Sequence, residues 1–162
     1  MSSLVLKFGG TSVGSIKAIS FVAEKIKKLK KRGARLVVIV SAMSGETNRL
    51  LGMAKEYNSE KGRAVDFLLS TGEQVSVALL CSALQSLGVK AFPMAGWQVP
   101  IITDSSYGRA RILDIKPNKI KKLMDTDVVI IAGFQGVDAN QNITTLGRGG
   151  SDTSAVAIAA AW

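Results

Sequence analysis

Two short stretches of this 162-residue chain combine residue types that could hold an anion and act on it. The first reads Lys7-Phe8-Gly9-Gly10-Thr11-Ser12 and lies between an apolar run suited to a buried strand and the start of a helical pattern. A strand, a glycine turn and a helix start bring bare backbone N–H groups and the positive end of a helix to one point, and paired glycines let an anion approach closely. Lys7 adds a full positive charge there, placed to neutralise a phosphoryl group in transfer. An ordinary strand-to-helix turn with a snorkelling lysine would show the same residues. The second stretch, Gly147-Arg148-Gly149-Gly150-Ser151-Asp152, precedes an alanine-rich helix (TSAVAIAAAW) with no polar face after Ser154. It repeats the arrangement, with Arg148 as a forked donor and Asp152 as a carboxylate in the first helical turn. Helix capping by Ser151 or Asp152, with Arg148 on the surface, explains each residue singly but not the doubling. Two such corners in one sheet fold would converge on the same edge.

Two further stretches bear on that edge. Residues 41–48 (SAMSGETN) are small, hydroxyl-bearing and polar, as a loop lining a pocket would be, and equally as a plain connection with a helix N-cap would be. Glu73 follows Ser70-Thr71-Gly72 and is expected at the first turn of a buried helix over 74–87. A carboxylate there gains from the helix dipole; facing the pocket, it would contact the amino group of a substrate. The chain has no histidine, which removes imidazole acid–base catalysis, the usual Ser-His-Asp and Cys-His arrangements and histidine-ligated zinc in one step. Catalysis must rest on Lys, Arg, Asp, Glu and backbone donors.

The elements that must position these residues are legible in outline. Ile16, Ile19, Val22, Ala23, Ile26 and Leu29 recur at helical spacing, with Lys25, Lys27, Lys28, Lys30 and Lys31 pointing away, and Gly33 stops the helix. Residues 36–40 (LVVIV) are a continuous β-branched run, the signature of a strand buried on both faces in a parallel sheet. With the opening strand and the helix they make a βαβ unit, which binds ligands outside the carboxyl ends of its strands. The pattern then predicts helices over 50–57, 61–69 and 74–87, and short strands over 90–94 and 99–103 around Gly96-Trp97. Pro100 argues for an edge position. A short extended piece over 110–114, a basic helix over 118–124, a second buried strand over 127–132 (DVVIIA) and a turn at 138–142 within a hairpin complete the reading. There is no internal repeat and no dividing linker.

With 47% hydrophobic and 20% charged residues the chain is long enough for one domain with a substantial core. Lys plus Arg exceed Asp plus Glu by 21 to 12, a formal net charge of +9, so the surface attracts anions such as nucleotides, phosphorylated metabolites or nucleic acid. Much of the excess lies in 25–35, the solvated back of the first helix. No aromatic residues interleave with these lysines as stacking platforms for a single strand would, so no nucleic-acid partner is expected. Cys81 lies in an apolar run and reads as a core residue, consistent with a reducing compartment. No secretory leader and no membrane-span stretch free of polar interruption is read, so a soluble cytoplasmic protein is expected.

Four stretches taken together, KFGGTSVGS at 7–15, VSAMSGETN at 40–48, STGEQVS at 70–76 and TTLGRGGSDTSA at 144–155, closely resemble the aspartokinases of the amino acid kinase family in order and spacing. The likeness covers essentially the whole chain, and KFGGTS with GRGGSD is its specific pair. It implies a three-layer αβα sandwich with a mainly parallel central sheet. It also implies phosphorylation of the β-carboxylate of L-aspartate by MgATP to 4-phospho-L-aspartate, the first step toward lysine, threonine, methionine and diaminopimelate. By matching position, the resemblance gives catalysis to Lys7 and Asp152, with Lys7 bridging the phosphates and Asp152 organising it. It places Lys7, Phe8, Gly9, Gly10 and Ser41 toward ATP, and Ser41, Thr47, Glu73, Arg148, Gly149, Gly150 and Ser151 toward aspartate. Glu73 would hold the α-amino group and Arg148 a carboxylate; Mg2+ would be bound through the nucleotide, with no metal site on the protein. Phosphoryl transfer needs positioning and electrostatic stabilisation more than a covalent nucleophile, which agrees with the absence of histidine.

Aspartokinases continue past the helix at 153–162 into a nucleotide-binding half and regulatory ACT domains. The expectation is therefore that residues 1–162 are a single partial domain, the amino-acid-binding half, and cannot turn over alone. An open sheet edge and an uncovered last helix then predict a homo-oligomer or swapped dimer. The alternatives are a relative acting on glutamate, N-acetylglutamate or UMP, against which GRGGSD and STGE favour aspartate, and a non-catalytic module that binds aspartate or another anion.

Overall fold

The computed structural model describes residues 2–147 and 149–162. In chain order the elements are β1 (Ser3–Phe8), α1 (Ile16–Lys31), β2 (Arg35–Val40), α2 (Glu46–Lys55), α3 (Arg63–Ser86), β3 (Ala91–Met94), a 3-10 turn (Gly96–Gln98), β4 (Ile101–Thr103), β5 (Ile112–Ile115), α4 (Asn118–Leu123), β6 (Val128–Ala132), β7 (Gln135–Val137), β8 (Ile143–Thr145) and α5 (Gly150–Ala160). Four strands form a parallel sheet in the order β1-β2-β6-β3, and the others form a small mixed sheet in the order β5-β4-β7-β8.

The two apolar runs form the inner strands of the parallel sheet, as their composition requires, with Val37 to Val40 of β2 registered on Val129 to Ala132 of β6. Because side chains alternate across a strand, each run feeds two cores. Leu36, Val38 and Val40 face Ile19, Val22 and Ile26 of α1 and Leu80 and Leu84 of α3. Val37 and Ile39 face Ile120 and Met124 at α4 and Ile158 of α5 on the other side, together with Val99 and Ile101. Helices thus cover both faces of the sheet, and the expected αβα layering is observed. Pro93 lies in β3, an edge strand whose one partner is β6, where a missing N–H is tolerated.

Three local expectations are corrected. The helices expected over 61–69 and 74–87 are one helix, α3, which runs through Ser70-Thr71-Gly72 without a break. The extended piece expected over 110–114 is β5 at Ile112–Ile115. Pro100 precedes rather than occupies β4, and β4 lies between β5 and β7 instead of at an edge. By length and composition α3 could cross a membrane. Its buried Asp66 and Glu73, and its packing on α1, α2, β3 and β8, make it the core helix of this fold.

Candidate functional site

The parallel strands deliver three chain segments to one edge of the sheet. The Ser41 N–H donates to the Phe8 carbonyl at 3.1 Å and the Gly133 N–H to the Val40 carbonyl at 3.0 Å, which carries the ladder to the ends of β1, β2 and β6. Above these ends lies an open basin of about 580 Å³ whose lining includes Lys7, Gly10, Ser41, Thr47, Glu73, Phe134, Gly149, Gly150, Ser151 and Asp152. Gly133 lets the first turn of α5 lie against the sheet, since a Cβ there would stand 2.9 Å from both Ile39 Cγ2 and Ser151 Oγ.

The two glycine stretches meet. Lys7 Nζ stands 2.9 Å from Asp152 Oδ1. Beside this pair the Ser41 hydroxyl donates to Ser151 Oγ at 2.9 Å, tying the end of β2 to α5. The Asp152 side chain is 71% exposed, so the ion pair stabilises the fold by less than about 1 kcal/mol. What it does is fix the Lys7 ammonium at the rim of the basin.

The helix ends differ from the sequence expectation in an instructive way. α1 is closed by Ser15, whose side chain accepts the Ala18 N–H at 3.1 Å, so the helix after the first glycine turn does not offer a free positive end. That part is taken by α2. Its N-cap is Gly45, at φ 82°, and that of α5 is Gly149, at φ 75°; neither cap makes a side-chain hydrogen bond to its helix. Both helix starts lie in the basin lining; the Glu46 N–H donates to the Met43 carbonyl and the Gly150 N–H to the Gly147 carbonyl, while those of Thr47 and Asn48 have no backbone partner among the described residues and can meet an anion. Glu46, in the first turn of α2, is engaged by Arg49 at 2.7 Å, and this hydrogen bond holds its carboxyl below the usual range.

Glu73 is the reverse of these donors. It sits in the middle of α3, not at a first turn, so the helix dipole gives no account of it. The residue is 2% exposed, and its Oε2 has no hydrogen-bond partner among the described residues. Burial pushes its carboxyl up to about 8, against the opposing pull of the Glu73 and Ala42 backbone donors and the Gln135 side-chain amide. A buried carboxylate with an empty acceptor and a basin in front of it is suited to an ammonium group.

Of the residues singled out from sequence, Lys7, Gly10, Ser41, Thr47, Glu73, Gly149, Gly150, Ser151 and Asp152 line this one basin. Gly9 lies behind Lys7, whose Nζ is 3.3 Å from where a Gly9 Cβ would stand. The Phe8 side chain packs on the α1–α3 core and does not reach the lining. Arg148 lies outside the described residues. Sequence reading passed over Phe134, which lines the basin at φ 70°. Its signal was available: an aromatic next to a glycine at the carboxyl end of a buried strand, the same edge on which the other residues were sought.

The donor set fits a phosphoryl group, because a lysine ammonium and two uncapped helix starts converge on one open volume. Among the described residues no group of three or more histidine, cysteine, aspartate or glutamate side chains gathers to hold a metal ion.

The model of the amino acid kinase family matches residues 2–162. An aspartate kinase of Pseudomonas putida is 56% identical over 163 residues, a match that covers 99% of this chain and 40% of the relative. An aspartokinase of Geobacillus stearothermophilus is 50% identical, with the same 99% and 40% coverage. Among solved structures, an aspartate kinase from Synechocystis superposes with a TM-score of 0.86 at 44% identity, over 98% of this chain and 26% of that one. Aspartokinase III of E. coli in complex with aspartate and ADP superposes with a TM-score of 0.84 at 25% identity, over 99% of this chain and 47% of that one. The chain thus spans about 40% of the length of the curated relatives it matches.

Proposed function

Because the chain belongs to the amino acid kinase family, we propose that it forms the aspartate-binding part of an aspartate kinase, which transfers a phosphoryl group from ATP to the side-chain carboxylate of L-aspartate. The observation that carries the reading is the joining of Lys7 and Asp152 at 2.9 Å over a basin that also holds the unpartnered Glu73 oxygen. One rim carries a cation and N–H groups, and the floor carries a carboxyl that can ionise against a cation, which matches a substrate with carboxylates at one end and an ammonium at the other.

In this reading Glu73 takes the α-ammonium and becomes ionised as it does so. Arg148 and the start of α5, at Gly149, Gly150 and Ser151, take a substrate carboxylate, while Ser41, bonded to Ser151, and Thr47 complete the substrate edge. Lys7, held by Asp152 and backed by Gly9 and Gly10, neutralises charge on the group in transfer. The nucleotide supplies the phosphoryl group and brings Mg2+ with its phosphates. A substrate carboxylate oxygen forms the new O–P bond as the bond to the leaving ADP oxygen breaks. The attacking carboxylate is already ionised at neutral pH, so no protein base is needed. The lack of histidine is compatible with this.

Calorimetric titration of the chain tests the reading. L-Aspartate should bind saturably with release of a proton from Glu73, visible as a dependence of the heat on the buffer's ionisation enthalpy, while ATP should show no comparable binding and no ADP should form. Binding of ATP without aspartate would overturn it, and so would turnover at the rate of a complete enzyme. The proposal includes self-association. β1 is an edge strand whose Leu4, Val5 and Leu6 are only half-covered, and Val156 on α5 is exposed. Light scattering that finds only monomer at high concentration would remove that part.

A further inference from the structure

Gln135 is the first residue of β7, follows Phe134 and is wholly buried. Neither end of its amide is idle. Nε2 donates to the Ser70 carbonyl at 3.0 Å, and Oε1 accepts the Gly96 N–H at 3.3 Å. Ser70 lies one turn before Glu73 on α3, so the amide braces the turn that carries the unpartnered carboxyl. The contact to the 3-10 turn is equally fixed: a Cβ on Gly96 would stand 2.3 Å from the Gln135 carbonyl oxygen, so the backbones of the two segments are locked together. Three elements, α3, β7 and the 3-10 turn, are thereby held in one layer beside Glu73 through a single side chain.

We infer that Gln135 is a positioning residue for Glu73, bracing the α3 turn that carries its carboxyl and turning an amide N–H toward that carboxyl when it is charged. The inference rests on Glu73 as the ammonium partner proposed above. An amide has two Nε2 hydrogens. The Ser70 carbonyl takes one, which leaves the other for the carboxylate. In agreement, the Gln135 amide is among the donors that favour the ionised form of Glu73. Among the described residues the charged groups near Glu73 are Lys7 and Asp152 in the same lining, paired with each other, and Glu46 on α2, paired with Arg49 and packed on Gly72; none is among the causes of its shift. Among the described residues a neutral donor is therefore the side chain that favours the charged form of this carboxyl. A glutamine does this without supplying a cation that would compete with the incoming ammonium.

NMR titration of the chain, labelled in its glutamate and glutamine side chains, reads this without any ligand. In the native chain the Gln135 side-chain amide signals should move with the same midpoint as the Glu73 carboxyl carbon, and the movement should vanish in Glu73→Gln. In Gln135→Met, which keeps the volume and removes both polar ends, the Glu73 midpoint should rise by about one pH unit, roughly tenfold in proton affinity, with the other glutamates unmoved. A lower melting temperature with an unchanged Glu73 midpoint would show that Gln135 is only a brace, and the inference would fall. If Gln135→Met does not fold, the native titration decides alone: Gln135 amide signals flat through the Glu73 transition overturn the inference. Loss of aspartate binding by the native chain would instead sink the proposed function and leave the coupling readable.

Discussion

Asp66 and Glu73 are both buried carboxylates on α3, two turns apart, and the fold treats them in opposite ways. Asp66, with no exposed surface, accepts from the Gly108 N–H at 3.0 Å, the Thr145 N–H at 2.7 Å and the Thr145 hydroxyl at 3.0 Å. It pins the end of β8, from which the chain runs into the second glycine stretch. Glu73 is left with a buried oxygen to which no described group hydrogen-bonds. Burial raises the carboxyl of each and donors oppose it in both, but those of Asp66 close hydrogen bonds to both of its oxygens, whereas Glu73 Oε2 has none among the described residues. A carboxylate surrounded by its own fold's donors is a fastener. One that keeps an unpaired oxygen in a basin lining is suited to receive a donor.

Three substitutions probe that contrast. The largest effect is expected at the fastener: Asp66→Ala strands three buried donors and should lower the unfolding free energy by about 3–5 kcal/mol, measured by urea denaturation. A cost under about 1 kcal/mol would break the comparison from that side. Glu73→Gln should act the other way. The folded carboxyl titrates near 8 against an ordinary 4.5, so between these values the native chain holds a proton that the unfolded chain has lost, and stability falls as pH rises through that window. The amide should remove this slope and add about 2–3 kcal/mol at pH 7, while weakening aspartate binding roughly a hundredfold through loss of a charge-assisted bond. Destabilisation at every pH would instead make Glu73 a second fastener. The smallest effect is expected at the rim, where Asp152→Asn should change stability by no more than about 0.5 kcal/mol even as it frees Lys7. A large loss on unfolding would mean that the ion pair belongs to the framework.

The sequence showed the layers and the site far better than it showed α3 and the second sheet. Continuous β-branched runs declare buried parallel strands, so β2 and β6 were plain, and the edge rule then placed Lys7, Ser41 and the start of α5 together. Ser70-Thr71-Gly72 looked like a break because hydroxyls and glycine favour turns. In the structure the Ser70 and Thr71 hydroxyls donate to the Phe67 and Leu68 carbonyls, each at 2.7 Å, inside the helix. Gly72 is there for contact, since a Cβ on it would stand 3.1 Å from the Ala42 Cβ. Tertiary packing overrode local preference, and Glu73 moved from a helix end to a helix middle. The mixed sheet was hidden for another reason: β4, β7 and β8 are each three residues long, too short for alternation to register, and β4 meets β7 only through a long-range parallel pairing.

The meeting of Lys7 with Asp152 has a consequence for how the molecule comes into being. These residues lie 145 positions apart, Lys7 on β1 of the parallel sheet and Asp152 on α5, which follows β8 of the mixed sheet. A chain emerging from a ribosome therefore cannot join the two corners until Asp152 has been made. Such distant pairings close slowly. Ligand capture would then report the closure of β1 against α5, not an earlier partly folded intermediate.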